Sequence, residues 1–251
     1  MLRLRQIAIV ADALDPAVDA LRTHLGIDSA WSDPAVATFG LRNAVLPAGN
    51  QFIEVVSPTR SGTAAGRYLE RRGGDGGYMV ILQTDHHAAR RQRVADLGVR
   101  IAFQHDTEHY RLMQLHPADT GGSFLEIDEQ IGGDALDGPW EPAGRDWQRA
   151  RRMHVVTGIA AAEIQSSAPR PLAERWAAIL DRTAAPLDEP GSFAIELDNA
   201  TLRFVEARDG RGEGLGGIDL VAAGGADGSA VPPMIAGLRV RLVSSRSPER
   251  V

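Results

Sequence analysis

The sequence predicts an α+β fold of tandem βαβββ modules whose curved mixed sheets enclose a cleft. Three observations carry this expectation. The order strand, helix, three strands occurs twice within the first 130 residues, the two copies repeat at a spacing of roughly 70 residues, and a shortened third copy follows a Gly/Pro-rich stretch. A four-stranded curved sheet with one helix leaves an open concave face, and two such sheets side by side enclose a cleft.

Residues 4–10 read as a buried strand, and residues 15–25 carry Ala17, Val18, Leu21 and Leu25 at helical spacing. Strands are expected at 35–41, 44–46 and 51–56, separated by the turn formers Asn43, Pro47, Gly49 and Asn50. Residues 63–72 read as a linking helix closed by Gly73 and Gly74. The second copy places a strand at 78–84, a helix at 86–97, and strands at 101–103, 110–115 and 123–127. Residues 131–150, rich in Gly, Pro and Asp, read as a linker that packs through Trp140 and Trp147. Beyond it come a strand at 154–159, a helix at 171–180 and a hairpin of 193–197 with 201–206 around Asp198 and Asn199. Two last strands, 218–221 and 238–242, flank a connection with a weak helical pattern. The expected organisation is thus a pair of modules over 1–130 (1–60 and 74–130), a linker over 131–150, and a degenerate third module with a vestigial fourth over 151–251.

At 251 residues and 43% hydrophobic composition the chain can bury a sizeable core. Its net charge of −6 offers no basic surface for a phosphate backbone, so nucleic acid is not an expected partner. The absence of cysteine excludes disulfides, thiolate metal sites and cysteine nucleophiles. The apolar run before Asp12 is too short for a signal peptide and no stretch of about 18 apolar residues occurs, so a cytoplasmic location away from membranes is expected. The glycines at 73–77 and 210–217 lack the flanking strand or helix of a nucleotide loop, and no G-x-S-x-G elbow appears.

Two carboxylates stand out. Glu54 lies between Ile53 and Val55, and Glu126 between Leu125 and Ile127, in strands whose alternation allows them either the cleft or solvent. If they converge in a cleft, repulsion and desolvation raise the pKa of one and create a shared proton.

Three stretches carry a family resemblance: Gln51-Phe-Ile-Glu-Val-Val-Ser-Pro58, Gly66-Arg-Tyr-Leu-Glu-Arg-Arg-Gly-Gly-Asp-Gly76, and Leu115-His-Pro-Ala-Asp-Thr-Gly-Gly-Ser-Phe-Leu-Glu-Ile-Asp128. They resemble the glyoxalase-like (vicinal oxygen chelate) superfamily of glyoxalases, bleomycin resistance proteins and dioxygenases, with the nearest local similarity to methylmalonyl-CoA epimerases and related glyoxalase-like domains. The resemblance turns both glutamates inward. It also implies a divalent metal held by first- and last-strand residues, which here are Gln6, Glu54, Tyr78 and Glu126. With Gln6 and Tyr78 where histidine is usual, Gln6, Glu54 and Glu126 suit Mg²⁺, Mn²⁺ or Ca²⁺ better than Zn²⁺. A comparable half-site would be His154 with Glu206 in the third module, although each has a structural reading as well.

The implied function is a small-molecule enzyme of isomerase, epimerase or lyase type, in which Glu54 and Glu126 act as acid, base or ligands and Tyr78 donates a hydrogen bond. His116, Gln114 and Trp31 are candidate ligand contacts, His116 and Trp31 having structural readings too. The alternative is a metal-free binding protein of the antibiotic-resistance type. Either form takes a small molecule, and four partial modules in one chain allow a monomer or a homodimer.

Overall fold

The computed structural model describes residues 1–224 and 231–244. The first module runs β1 (Leu2–Val10), α1 (Leu14–Leu25), β2 (Leu41–Ala48) and β3 (Gln51–Pro58), and α2 (Ala64–Arg72) leads out of it. The second runs β4 (Gly76–Thr84), α3 (His87–Asp96), β5 (Ile101–Asp106), β6 (Tyr110–Leu115), the single turn α4 (Pro117–Thr120) and β7 (Phe124–Gln130). The third contains β8 (Val156–Ser166), α5 (Pro169–Leu180), β9 (Ala184–Pro186), β10 (Phe193–Glu196) and β11 (Thr201–Glu206), and the fourth β12 (Gly214–Ala222), β13 (Met234–Ile235) and β14 (Leu238–Val243). The weak helical pattern expected before β14 falls partly on 225–230, outside the described residues.

One expected strand is absent. Residues 35–41 alternate like an edge strand, yet Pro34–Phe39 forms a 3₁₀ helix. Pro34 presets a helical φ at its first turn, and the Asp33 side chain accepts the Ala35 N–H at 2.9 Å as its cap. Pairing on this edge of β2 is limited to an isolated bridge before the 3₁₀ helix: Val45 N donates to Trp31 O at 2.9 Å and Ala30 N to Val45 O at 2.8 Å. β9, by contrast, is a short strand that the sequence pattern did not announce.

The modules join in pairs through their first strands. The first sheet has the order β2-β3-β1-β4-β7-β6-β5 with β1 antiparallel to β4, and the second the order β13-β14-β12-β8-β11-β10-β9 with β8 antiparallel to β12. This bears out the α+β fold of curved mixed sheets. Ile7, Ile9, Val80, Leu82, Leu125 and Ile127 of the first sheet share one continuous core with α1 and with Ile159, Ile164, Trp176 and Phe204 of the second half. The opposite face of the first sheet carries Ala8, Val10, Phe52, Tyr78, Met79 and Ile81, and on it pack Trp140 and Trp147. The sheet curls so far that Phe39, in the 3₁₀ helix before edge strand β2, meets Phe103 of the opposite edge strand β5 edge to face at 5.1 Å.

A pair of bulges shapes the concave face. Leu4 opposes Leu82 and Gln6 opposes Ile81, which leaves Arg5 as the extra residue on β1. Ala8 opposes Met79 and Ile9 opposes Gly77, which leaves Tyr78 extra on β4. Each bulge turns two successive side chains inward. Asn199, in the β10–β11 turn, holds the first one: Leu4 N donates to its Oδ1 at 2.8 Å, and its Nδ2 donates to Leu4 O at 3.0 Å.

Arg5 then anchors residues 131–150 across the concave face. Its guanidinium donates to the carbonyls of Asn50, Leu136 (2.9 Å) and Gly138 (3.2 Å), and lies 5.1, 5.5 and 5.8 Å from the ring centroids of Phe52, Trp140 and Trp147. Burial lowers its pKa to about 9, so it remains charged at neutral pH. Arg5→Met removes these donors and strands buried carbonyls, so it is expected to cost about 2–4 kcal/mol in urea unfolding. Arg170→Ala removes only the exposed pair with Glu174 and is expected to change stability by less than about 0.5 kcal/mol.

Candidate functional site

β3 and β7 are the closing strands of the first two modules, each parallel to its module's first strand. Alternation along them sends Ile53 and Val55, or Leu125 and Ile127, to the core and the intervening glutamate to the concave face. Glu54 and Glu126 are 8% and 6% exposed.

The Glu54 carboxylate is held by two amides. Gln6 Nε2 donates to Oε2 at 2.9 Å and Asn43 Nδ2 to Oε1 at 2.7 Å. Behind them, Trp140 Nε1 donates to Gln6 Oε1 at 2.8 Å and Asp33 N to Asn43 Oδ1 at 2.8 Å. Burial raises the Glu54 pKa, the two amides pull it back, and Asp33 pushes it up again.

Glu126 is built differently. Gln114 Nε2 approaches Oε2 at 3.3 Å, and the Asp128 carboxyl lies two residues along the same strand face. The Tyr110 hydroxyl donates to Asp128 Oδ2, while Asp128 Oδ1 is buried without a partner. Burial disfavours charge on both carboxyls, and each charge opposes ionisation of the other. Burial, with a smaller push from the Glu54 charge, raises Glu126 to about 7, and burial beside Glu126 raises Asp128 well above the ordinary range. Trp140 spans both centres, since its ring meets Tyr110 edge to face at 5.5 Å while its N–H holds Gln6.

Tyr78 lies on the same face, packed against Tyr68 and Phe124 with centroids 5.0 and 4.9 Å away. Burial raises its pKa to about 12, so it stays a neutral phenol, and its hydroxyl bonds to no protein group among the described residues. It is not, however, the first-strand counterpart of Gln6. Gln6 pairs with Phe52 two positions before Glu54, and the residue paired with Phe124 two positions before Glu126 is Met79. The β4 bulge accounts for the one-residue displacement.

The other expected contacts divide. Gln114 reaches Glu126. His116 caps α4, its Nδ1 accepting the Ala118 N–H at 3.2 Å, so its ring serves the turn. Trp31 is 43% exposed and covers residues 131–150: Gly144, at φ +78°, lies so near its indole that a Cβ would come within 2.9 Å. Asn43, Asp128 and Trp140 are site residues that the sequence did not single out as such. Only Asp128 carried a signal, the period-two relation to Glu126.

These residues do not fit a divalent cation. Gln6 and Asn43 present NH₂ groups to Glu54 rather than oxygens, and Met79 stands at the matching position of the second module. Among the described residues no group of three or more His, Asp or Glu side chains is arranged to hold a metal ion.

A curled sheet of two modules joined through their first strands, with inward glutamates on both closing strands, defines a glyoxalase-like, vicinal oxygen chelate architecture. The chain belongs to the glyoxalase-like domain family, whose model matches residues 7–180. A hypothetical protein from Staphylococcus aureus is similar over 97% of this chain and 99% of its own, with 12% identity and a TM-score of 0.67. Methylmalonyl-CoA epimerase from Streptomyces coelicolor, in complex with 2-nitronate-propionyl-CoA, is 23% identical over 51% of this chain and 96% of its own, with a TM-score of 0.46. The Mycobacterium tuberculosis epimerase is 24% identical over 51% of this chain and 87% of its own, with a TM-score of 0.45. No curated protein matches the chain significantly. Among the described residues no helix is long and apolar enough to cross a membrane.

The raised carboxyl at Glu126 has a signed consequence. Folded Glu126 binds its proton more tightly than unfolded Glu126, so its contribution to stability is complete below its ordinary pKa of 4.5 and is lost as pH rises through about 7. Thermal melts of Glu126→Gln should show a smaller loss of stability than the wild type between these two values.

Proposed function

We propose that the chain is a small-molecule enzyme that moves a proton at a carbon next to a carbonyl group, of isomerase or epimerase type, without a ligated metal. The observation that carries this reading is the buried Glu126–Asp128 pair opposite Glu54. A carboxyl near pKa 7 serves as acid or base at neutral pH, where a positioned group contributes about 10²–10⁴-fold. One glutamate takes the substrate C–H proton, the electron pair moves onto the carbonyl oxygen, and a carboxyl across the cleft returns a proton to the carbon. Tyr78, a neutral donor with a free hydroxyl, suits the developing oxyanion. Lyase chemistry would begin with the same proton abstraction.

Metal assistance, implied by the resemblance, finds no support in the donor set. A binding or sequestration role is the second reading, favoured by the seating of residues 131–150 over both glutamates and by their slight exposure.

Solvent deuterium exchange tests the choice. Small 2-substituted carboxylic thioesters and 2-oxo acids incubated in ²H₂O should exchange their acidic C–H, followed by proton NMR. Glu54→Gln and Glu126→Gln should each slow the exchange by at least about 100-fold. A compound that stabilises the protein tightly but never exchanges would sink the enzyme reading in favour of sequestration.

A further inference from the structure

The hydrogen-bond chain behind Glu54 can run in only one direction. An indole N–H donates and never accepts, so Gln6 must turn its oxygen to Trp140 Nε1 at 2.8 Å and its NH₂ to Glu54 Oε2 at 2.9 Å. The Asp33 backbone N–H imposes the same orientation on Asn43, whose NH₂ meets Glu54 Oε1 at 2.7 Å. Each Glu54 oxygen therefore faces a donor fixed from behind. Gln6 and Trp140 are each 1% exposed, so water does not stand in for either partner.

We propose that Trp140 is a specificity-determining positioning residue: by locking the Gln6 amide it makes the Glu54 corner accept hydrogen-bond-donating ligand groups and exclude divalent cations. A cation beside Glu54 needs lone pairs from its neighbours and meets N–H groups instead. Turning the Gln6 amide to offer its oxygen breaks both of its bonds and orphans a buried indole N–H. The lock belongs not to the sheet but to residues 131–150, whose seat is the Arg5 guanidinium and the edge of Tyr110. A hydroxyl, an ammonium or an acidic C–H can still approach the lone pairs of Glu54 that the amides leave open. The proposal rests on the proton-transfer reading only for naming that ligand group.

Its test needs no substrate, so it stands or falls apart from the deuterium exchange. Wild-type protein and Trp140→Phe are titrated with Mn²⁺, followed by water proton relaxation and by melting temperature. The wild type should show no saturable uptake. Trp140→Phe keeps an aromatic ring but frees Gln6, and should show saturable Mn²⁺ uptake at concentrations at least about 10-fold below any at which the wild type responds, the effect disappearing when Glu54→Gln is added. Saturable wild-type binding that Glu54→Gln abolishes overturns the proposal, and so does a Trp140→Phe titration indistinguishable from that of the wild type. Should Trp140→Phe fail to fold, the side-chain amide resonances of the wild type decide. The Gln6 NH₂ signal must shift on Glu54→Gln, and an unmoved signal overturns the lock.

Discussion

A buried guanidinium, with Arg3 beside it donating to the carbonyls of Gly133, Asp134 and Ala135, holds the site together. Arg5 carries its charge into the concave face, where desolvation works against it and carbonyls from Asn50, Leu136 and Gly138 with three aromatic rings compensate. A planar fork of donors can meet carbonyls on two different segments at once, which a lysine ammonium on a flexible stem does poorly. Because Leu136 and Gly138 are among them, residues 131–150 are pinned to the sheet. Trp140 is pinned with them, and through it Gln6 and Glu54. Arg5 points inward only because β1 bulges there, and Asn199 of the second half grips that bulge by both backbone groups of Leu4.

The second half supports this arrangement without repeating it. Its sheet face away from the shared core is laced with ion pairs: Arg203 lies 3.0 Å from Glu163 and 2.9 Å from Asp219, and Arg241 lies 2.7 Å from Asp219. Guanidinium groups there take both carboxylates as ion-pair partners. The local likeness of Phe204-Val205-Glu206 to Phe52-Ile53-Glu54 is also deceptive. Phe52 meets Trp147 edge to face at 4.9 Å on the concave face, whereas Phe204 meets Trp176 of α5 edge to face at 5.5 Å on the core side. The two motifs face opposite ways, and Glu206 ends beside Arg208 at an exposed strand end. His154 packs instead over Gly26 at the end of α1, so the half-site does not assemble.

How far the site could be read from the sequence followed from the range of each interaction. Alternation put Glu54 and Glu126 on the face opposite their core neighbours, and the family resemblance, not the residues alone, chose cleft over solvent. Asp128 obeyed the same period but sat in a polar run, Asp-Glu-Gln, that looks like a strand end. Asn43 resembled a turn former, and nothing local says that it reaches Glu54 from β2. A bulge has no sequence mark when its extra residue is an ordinary side chain, which is why Tyr78 and Met79 exchanged places. Residues 35–41 alternate well enough for a strand, and a proline with a cap one residue before it decided otherwise. Trp140 reads as packing, and it does pack; its donor role depends on a partner more than 130 residues away.

The two modules make unlike groups from like positions. Glu54 and Glu126 occupy the same register in their modules, and burial alone would raise both pKa values together. Around Glu54 the neighbours are amide donors, which favour the anion and resist protonation. Around Glu126 the amide of Gln114 is joined by another carboxyl, Asp128, whose charge opposes ionisation. In the proton transfer we propose, Glu54 with its amide donors is the group placed to act as base and Glu126 beside Asp128 the group placed to act as acid. Environment has to split them this way, because two identical glutamates across a pseudo-two-fold axis would titrate alike and offer a substrate no direction for its proton.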